Sequence, residues 1–526
     1  MANFKDTVKQ TWNKVDSWLE KTFKLNENKT NVKTEVIAGL TTFMAMVYIL
    51  MVNAGMFSDL GAFGNAGVTS GQLYNGVYIA TAISAVIGTV LIGLLAKLPL
   101  AQASGMGLNA FFVYTVCGFG MANGMTYANA LIFILLDGII FLLLTVTGLR
   151  KTIFNAIPDS VKVAIPAGIG LFIAFIGLQN AGVVVLNDST KVALVSMNLL
   201  NGGLSTLVTA FNVFATFAGV IAIAVLSKKG VKGAVLWGIL GTTVLYYVVA
   251  GLGALAGSST FKAFFAGITF DNPFTAFGDF FKVSFFKVFT EGFDFSAYLN
   301  GSYVAGFTEA GEVIPGVAHS VADMILLILT GAFAFCMVDM FDTMGTLYGA
   351  CARGNLLDEN GNVPNVEKAM LADAVATCVG AVCGTSTVTT FVESSAGIAE
   401  GGKTGLTSIV TGILFFFAMF LTPIAKLIPT YATASALIYI GVLMMNCVTK
   451  IDWLEPTKAV PAFATIAMTV MTYSISNGIG IGLISYVLIQ VFTGKFMKNE
   501  DGSVNKADIV TAVIAGLFLL MFVLTH

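Results

Sequence analysis

Two stretches decide how this chain is read: PLAQASGMGLNAFF at Pro99–Phe112 and GTSTVTTFVESSAGIAEGG at Gly384–Gly402. Each breaks an apolar run with glycine, serine, threonine and asparagine at a depth where a membrane helix would otherwise be continuous. Hydrocarbon offers nothing to a free N–H or C=O, so irregular backbone survives there only where protein buries it or water reaches it. Two such breaks at corresponding positions of two halves are the sequence pattern of a secondary transporter whose substrate sits between discontinuous helices. The plain alternative is a pair of re-entrant packing loops.

The surroundings of these breaks place them in a bilayer. Of 526 residues, 56% are apolar or aromatic and only 11% are charged, with a mean hydropathy of +0.86, where a soluble domain carries about 25% charged residues. A net charge of −2 from 27 Lys+Arg and 29 Asp+Glu gives no footing to nucleic acid. The cysteines Cys117, Cys336, Cys351, Cys378, Cys383 and Cys447 form no C-x-x-C pair, so no disulfide framework, metal site or cofactor is expected. DENGN at Asp358–Asn362 opens like a calcium loop but continues wrongly, with Val363 and Ala369 at its sixth and twelfth positions. His319 sits in a polar loop and His526 at the terminus, which leaves any coupled proton to carboxylates.

Outward from the breaks, fourteen apolar segments follow at roughly 35–56, 76–96, 101–120, 128–148, 161–182, 204–227, 233–256, 321–347, 367–384, 386–400, 404–426, 432–449, 459–474 and 477–493. The fold class is therefore an all-α polytopic membrane protein, multi-pass in the plasma membrane; whether 507–525 also spans is left open. No signal peptide is visible, and the N-terminus is read as cytoplasmic. Residues 1–33 form an amphipathic segment, with Phe4, Val8, Trp12, Val15, Leu19 and Phe23 at helical spacing as its apolar face. Threading the segments from that start puts 22 of the 27 basic residues inside and 5 outside, namely Lys191, Lys262, Lys282, Lys287 and Lys426. That asymmetry follows the positive-inside rule.

The chain divides into a first seven-segment repeat at 34–256, an extracellular loop at 257–320, a second seven-segment repeat at 321–493 and a C-terminal hydrophobic segment at 494–526. An odd number of segments per half forces the two repeats into inverted topology.

Acidic side chains in the apolar segments are Asp137, Asp323, Asp339, Asp342, Asp373, Glu393 and Glu400. Each costs roughly 2.5–3.5 kcal/mol to place centrally and needs a partner or a water-filled cavity. Asp323, Asp373 and Glu400 lie near segment ends, within reach of interfacial water. Asp137, in FILLDGII, is deeper and isolated, suited either to an interhelical hydrogen bond or to function. Asp339 and Asp342, in CMVDMFDTMGTLYG, share one helical face, where two like charges repel unless one holds a proton. Glu393 lies inside the second break and Asn109 in the first, where it either caps the broken helix or meets a ligand. Carboxylates and an amide among small residues suit a flat, uncharged heterocycle rich in N–H donors.

At these residues the sequence resembles a known family. TEVIAGLTTFMAMVYILMVN, ASGMGLNAFFVYTV, GIGLFIAFIGLQNAG, VDMFDTMGTLYGACARGNLLDENGNVP and GTSTVTTFVESSAGIAEGGKTGLTSIVTG are similar to the nucleobase:cation symporters of the xanthine/uracil permease superfamily, most of all its adenine/guanine/hypoxanthine permease branch, over about 25–493. The resemblance implies two inverted seven-helix repeats, a core domain of segments 1–4 and 8–11, and a gate domain of segments 5–7 and 12–14. It implies import of hypoxanthine, guanine or adenine with a proton, bound by Asn109, Asp339, Asp342, Val392 and Glu393, with coupling on Asp342 and Glu393. Ser104 before Gly105, and VNAGMF after the first segment, depart from the family by lacking an expected proline.

The remaining readings are a uracil or xanthine carrier of the same fold, a channel, or a membrane-embedded enzyme. No intramembrane histidine or clustered cysteine supports the enzyme. The order of preference among purines, the identity of the coupling ion and a homodimeric state stay open.

Overall fold

The computed structural model describes the chain apart from residues 1–16, 63–67, 120–124, 150–152, 154–155, 188–189, 256, 267–271, 303, 308–312, 360–362, 498–506 and 526. Most of the expected amphipathic N-terminal face therefore lies outside the described residues. Its last part, 17–23, is helical, and Phe23 and Leu25 are buried against Leu406.

The first half runs α1 (Val32–Met46), α2 (Tyr48–Ala62), α3 (Ser70–Leu91), β1 (Gln102–Ser104), α4 (Met106–Ala110), α5 (Tyr127–Val146), α6 (Asp159–Asn180), a β2 (Val184–Asn187) and β3 (Lys191–Leu194) hairpin, α7 (Leu199–Lys228) and α8 (Ala234–Leu255). A connecting region holds α9 (Ser259–Ala266), α10 (Pro273–Asp279), α11 (Lys287–Thr290), α12 (Ser296–Asn300), β4 (Val304–Phe307) and β5 (Val313–Pro315). The second half runs α13 (Val321–Arg353), α14 (Val366–Cys383), β6 (Val388–Thr390), α15 (Ser394–Ala399), α16 (Gly405–Ala418), α17 (Thr422–Ala425), α18 (Thr430–Met444), α19 (Pro456–Met471), α20 (Ile475–Phe492) and α21 (Ala507–Thr525).

Ten helices among the described residues are long and apolar enough to cross a bilayer, which makes this a multi-pass membrane protein. Four other expected segments, 101–120, 367–384, 386–400 and 459–474, hold shorter or more polar elements: β1 with α4, α14, β6 with α15, and α19.

Local sequence sets the helix starts. Thr69, Thr126 and Ser320 each bond the backbone N–H three residues on, and Gln72, Asn129 and Asp323 bond back, closing capping boxes at α3, α5 and α13. This is the segment-end position expected for Asp323. Glu400 likewise reaches the surface, where Lys232 Nζ donates to its Oε2 at 2.6 Å.

The 257–320 stretch is more than a loop, because buried polar groups anchor it to the helices. Asn75 Nδ2 of α3 donates to Asp279 Oδ2 at 2.7 Å, Asn129 Nδ2 of α5 to the Gly292 carbonyl at 2.7 Å, and Phe286 N to the Val382 carbonyl at 2.8 Å.

Packing gathers the helices into two groups. In one, α14 lies on α3 and α5, α13 on α5, and α15 and α16 on α1. In the other, α6 lies against α18, α19 and α20, with α7 and α8 on α18. Phe57, Phe111, Phe112 and Phe133 are fully buried in the principal core, with Phe57 and Phe112 stacked 4.9 Å apart. Close backbone approach fixes the α16 start beside the helical stretch Ile92–Ala96 that continues α3: a Cβ on Gly405 would lie 1.9 Å from the Gly93 carbonyl oxygen.

Candidate functional site

The two breaks meet. β1 pairs antiparallel with β6, Gln102 opposite Thr390, Ala103 opposite Thr389 and Ser104 opposite Val388. Gly105 N donates to the Thr387 carbonyl at 2.9 Å and Phe391 N to the Ala101 carbonyl at 3.0 Å, so each break satisfies the backbone of the other. The chain reaches β6 through Gly384, whose φ of +91° favours glycine and where a Cβ would stand 2.5 Å from the Tyr127 hydroxyl.

Past the strand pair, α4 and α15 are short helices. Glu393 opens α15, and the Tyr48 hydroxyl of α2 donates to its Oε1 at 2.7 Å. Across from it, Asp342 of α13 accepts from Thr389 Oγ1 of β6 at 3.3 Å. Both carboxylates are half-buried, and they are near enough for their like charges to act on each other. Val392, which precedes Glu393, is also half-buried. Asp339, one turn before Asp342, is fully buried. Asn109 is fully buried too: its Oδ1 accepts from the Ser386 hydroxyl and its Nδ2 donates to the Ser104 carbonyl at 3.4 Å. Of the five expected contacts, the structure brings Asp342, Val392 and Glu393 to one partly open place and sets Asn109 and Asp339 into the packing behind it.

Two carboxylates stand differently from their sequence-based reading. Asp373 does not reach interfacial water. It is fully buried and accepts from Gln102 Nε2 and from Thr343 Oγ1, both at 2.9 Å. Its place on α14, packed between α3 and α5, keeps solvent away, and β1 supplies the amide that replaces water. Asp137 is deep, as expected, but not isolated: Thr387 Oγ1, just before β6, donates to its Oδ2 at 3.1 Å, and Asp373 is its acidic neighbour.

Two buried acids escaped the sequence reading, Glu35 and Asp508. Glu35 of α1 is fully buried and accepts from the backbone N–H of Lys403, Thr404 and Thr407 at 3.0, 3.3 and 3.2 Å, and from Thr407 Oγ1 at 2.6 Å. A carboxylate on the unsatisfied N–H groups of α16 meets the positive end of its dipole. The signal for Glu35 was the TEV triplet opening the first apolar segment, which reads equally well as a solvated helix start. Among the described residues, no three His, Cys, Asp or Glu side chains gather to hold a metal ion.

The arrangement offers two acceptor carboxylates, a tyrosine hydroxyl and a half-buried valine at the junction of two short helices. That set can hold a small planar molecule through paired N–H donors. A model described as Permease family matches residues 33–481. A guanine/hypoxanthine permease of Bacillus subtilis is 36% identical over 95% of this chain and 100% of its own length. An adenine permease of Escherichia coli is 35% identical over 91% of each. Among solved structures, the transmembrane domain of the cyanobacterial bicarbonate transporter BicA has a similar fold, with a TM-score of 0.53 at 15% identity over 85% of this chain and 97% of that one.

Proposed function

This chain belongs to the permease family, and from that premise we propose that it imports purine nucleobases (hypoxanthine, guanine or adenine) by proton symport. It is a transporter and not an enzyme, and relatives named for purines disfavour the uracil or xanthine alternative. In this reading the segments form two inverted seven-helix repeats. The α1–α5 and α13–α16 group is the core domain, and the α6–α8 and α18–α20 group is the gate domain.

The observation that supports this most is the facing pair Asp342 and Glu393, brought from two elements to one half-open place beside the crossed strands. A base with two adjacent N–H groups donates to Glu393, with Val392 against its ring. Asp342 carries the coupling proton, so that loading the proton removes the repulsion between the two carboxylates as the base arrives. Asp339 and Asn109 hold α13 and the crossing in register. A site that moves against the gate domain then opens alternately to either side.

The test is uptake of labelled hypoxanthine, guanine and adenine into cells lacking other purine carriers, with and without a protonophore. Saturable accumulation that collapses with the protonophore is the expected result. Accumulation that persists would separate the purine reading from the proton reading.

A further inference from the structure

A cavity of about 620 Å³ lies apart from the crossed strands, where α2, α3, α6, α8 and the α17–α18 turn meet. Met51 and Val52 form its floor, one helical turn from Tyr48, the hydroxyl partner of Glu393. Asp59 of α2 and Asn180 at the end of α6 both line it, with Tyr74 and Tyr247 adding aromatic surface and Lys426 a positive charge. Asp59 is eleven residues along the helix from Tyr48, a rise of about 16 Å, too far for one base to touch both places. The lysine distribution assigns this end of α2 to the exterior.

Asp59 is engaged by one hydroxyl. Tyr114 OH, from the π-helical stretch that follows α4, donates to Asp59 Oδ2 at 2.7 Å, and Asn180 lies beside that hydroxyl. The Tyr114 ring meets Tyr473 edge-on at 6.1 Å, Thr115 Oγ1 donates to the Tyr473 carbonyl at 2.8 Å, and Tyr473 OH donates to Gln179 Oε1 at 2.6 Å. One phenol thus ties the α2 side of the cavity to the α6 side. A carboxylate held by one weak donor, with an amide beside it, can exchange that donor for a ligand that donates to the first and complements the second.

We propose that this cavity is a second, outer binding site for a planar nucleobase, held by Asp59 and Asn180 in place of the Tyr114 hydroxyl. The proposal rests on the purine reading above and adds a site that the central carboxylates do not form. The base enters between the aromatic walls, its N–H groups go to Asp59, and its ring acceptor or carbonyl meets the Asn180 amide. Release of Tyr114 loosens the link between α2 and α6 on the path toward Tyr48 and Glu393.

The test compares initial influx of labelled hypoxanthine with its efflux from preloaded cells, at matched membrane abundance. Asp59→Asn and Asn180→Ala should raise the influx KM about tenfold, as loss of one charge-assisted bond implies, and leave the efflux KM within about twofold. Tyr114→Phe keeps the ring against Tyr473 and frees Asp59, so its influx KM should fall severalfold. That opposite sign keeps the test decisive if the other variants reach the membrane poorly. An unchanged influx KM in Tyr114→Phe, or equal changes in both directions, overturns the outer site. Wild-type chain that moves no purine overturns the purine reading as well, which sets the two failures apart.

Discussion

The two broken segments share a geometry and differ in chemistry. β1 and α4 bring only neutral side chains to the crossing, and these are spent inside the protein: Ser104 and Asn109 are fully buried, and Asn109 is bonded to Ser386 and to the Ser104 carbonyl. β6 brings Thr389 to Asp342 and Glu393 opens α15, both carboxylates still half-open. Two paired breaks therefore do not make a symmetric site. One half builds the support and the other presents the charge, an asymmetry that suits the proposed ligand with one hydrogen-bonding edge.

The sharpest way to break that contrast is to neutralise the charged half. Asp342→Asn should abolish protonophore-sensitive accumulation while leaving some exchange, measured as counterflow of labelled hypoxanthine. Normal accumulation in that variant would move the coupling proton elsewhere. Glu393→Gln keeps the shape and replaces one acceptor oxygen by a donor, and should weaken hypoxanthine binding by about 1.5–3 kcal/mol, read from competition uptake.

Changes in the neutral half should act on folding instead. Asn109→Ala leaves the Ser386 hydroxyl and the Ser104 carbonyl without this partner and should cost about 1–3 kcal/mol of stability. A lower melting midpoint in detergent with little change in KM is the expected split; a KM change at full stability would put Asn109 back on the ligand. Glu35→Gln removes the charge on the α16 terminus and should cost about 0.3–2 kcal/mol by the same measurement. Smallest of all is Asp137→Asn, which still accepts from Thr387, so transport should change modestly; complete loss in a well-folded variant would make the α5 acid functional.

Composition and hydropathy alone determined that this is a polytopic membrane protein, because so few charges cannot cover a water-exposed surface of this size. The two breaks, and Asp342 and Glu393 as acids in need of a reason, were equally legible, since a polar group in hydrocarbon stands out locally. Which acids face a ligand was not. Asp373 and Glu35 sit near segment ends in the sequence, yet Gln102 and Thr343 enclose the one, and the N–H groups of α16 take the other. Their partners are hundreds of residues away in most of these bonds. The pairing of β1 with β6, the seat of Asn109 behind it and the Tyr114 link across the outer cavity were likewise decided by the tertiary structure. Burial and hydrogen bonding are properties of what packs around a residue, and a single sequence displays the residue without its surroundings.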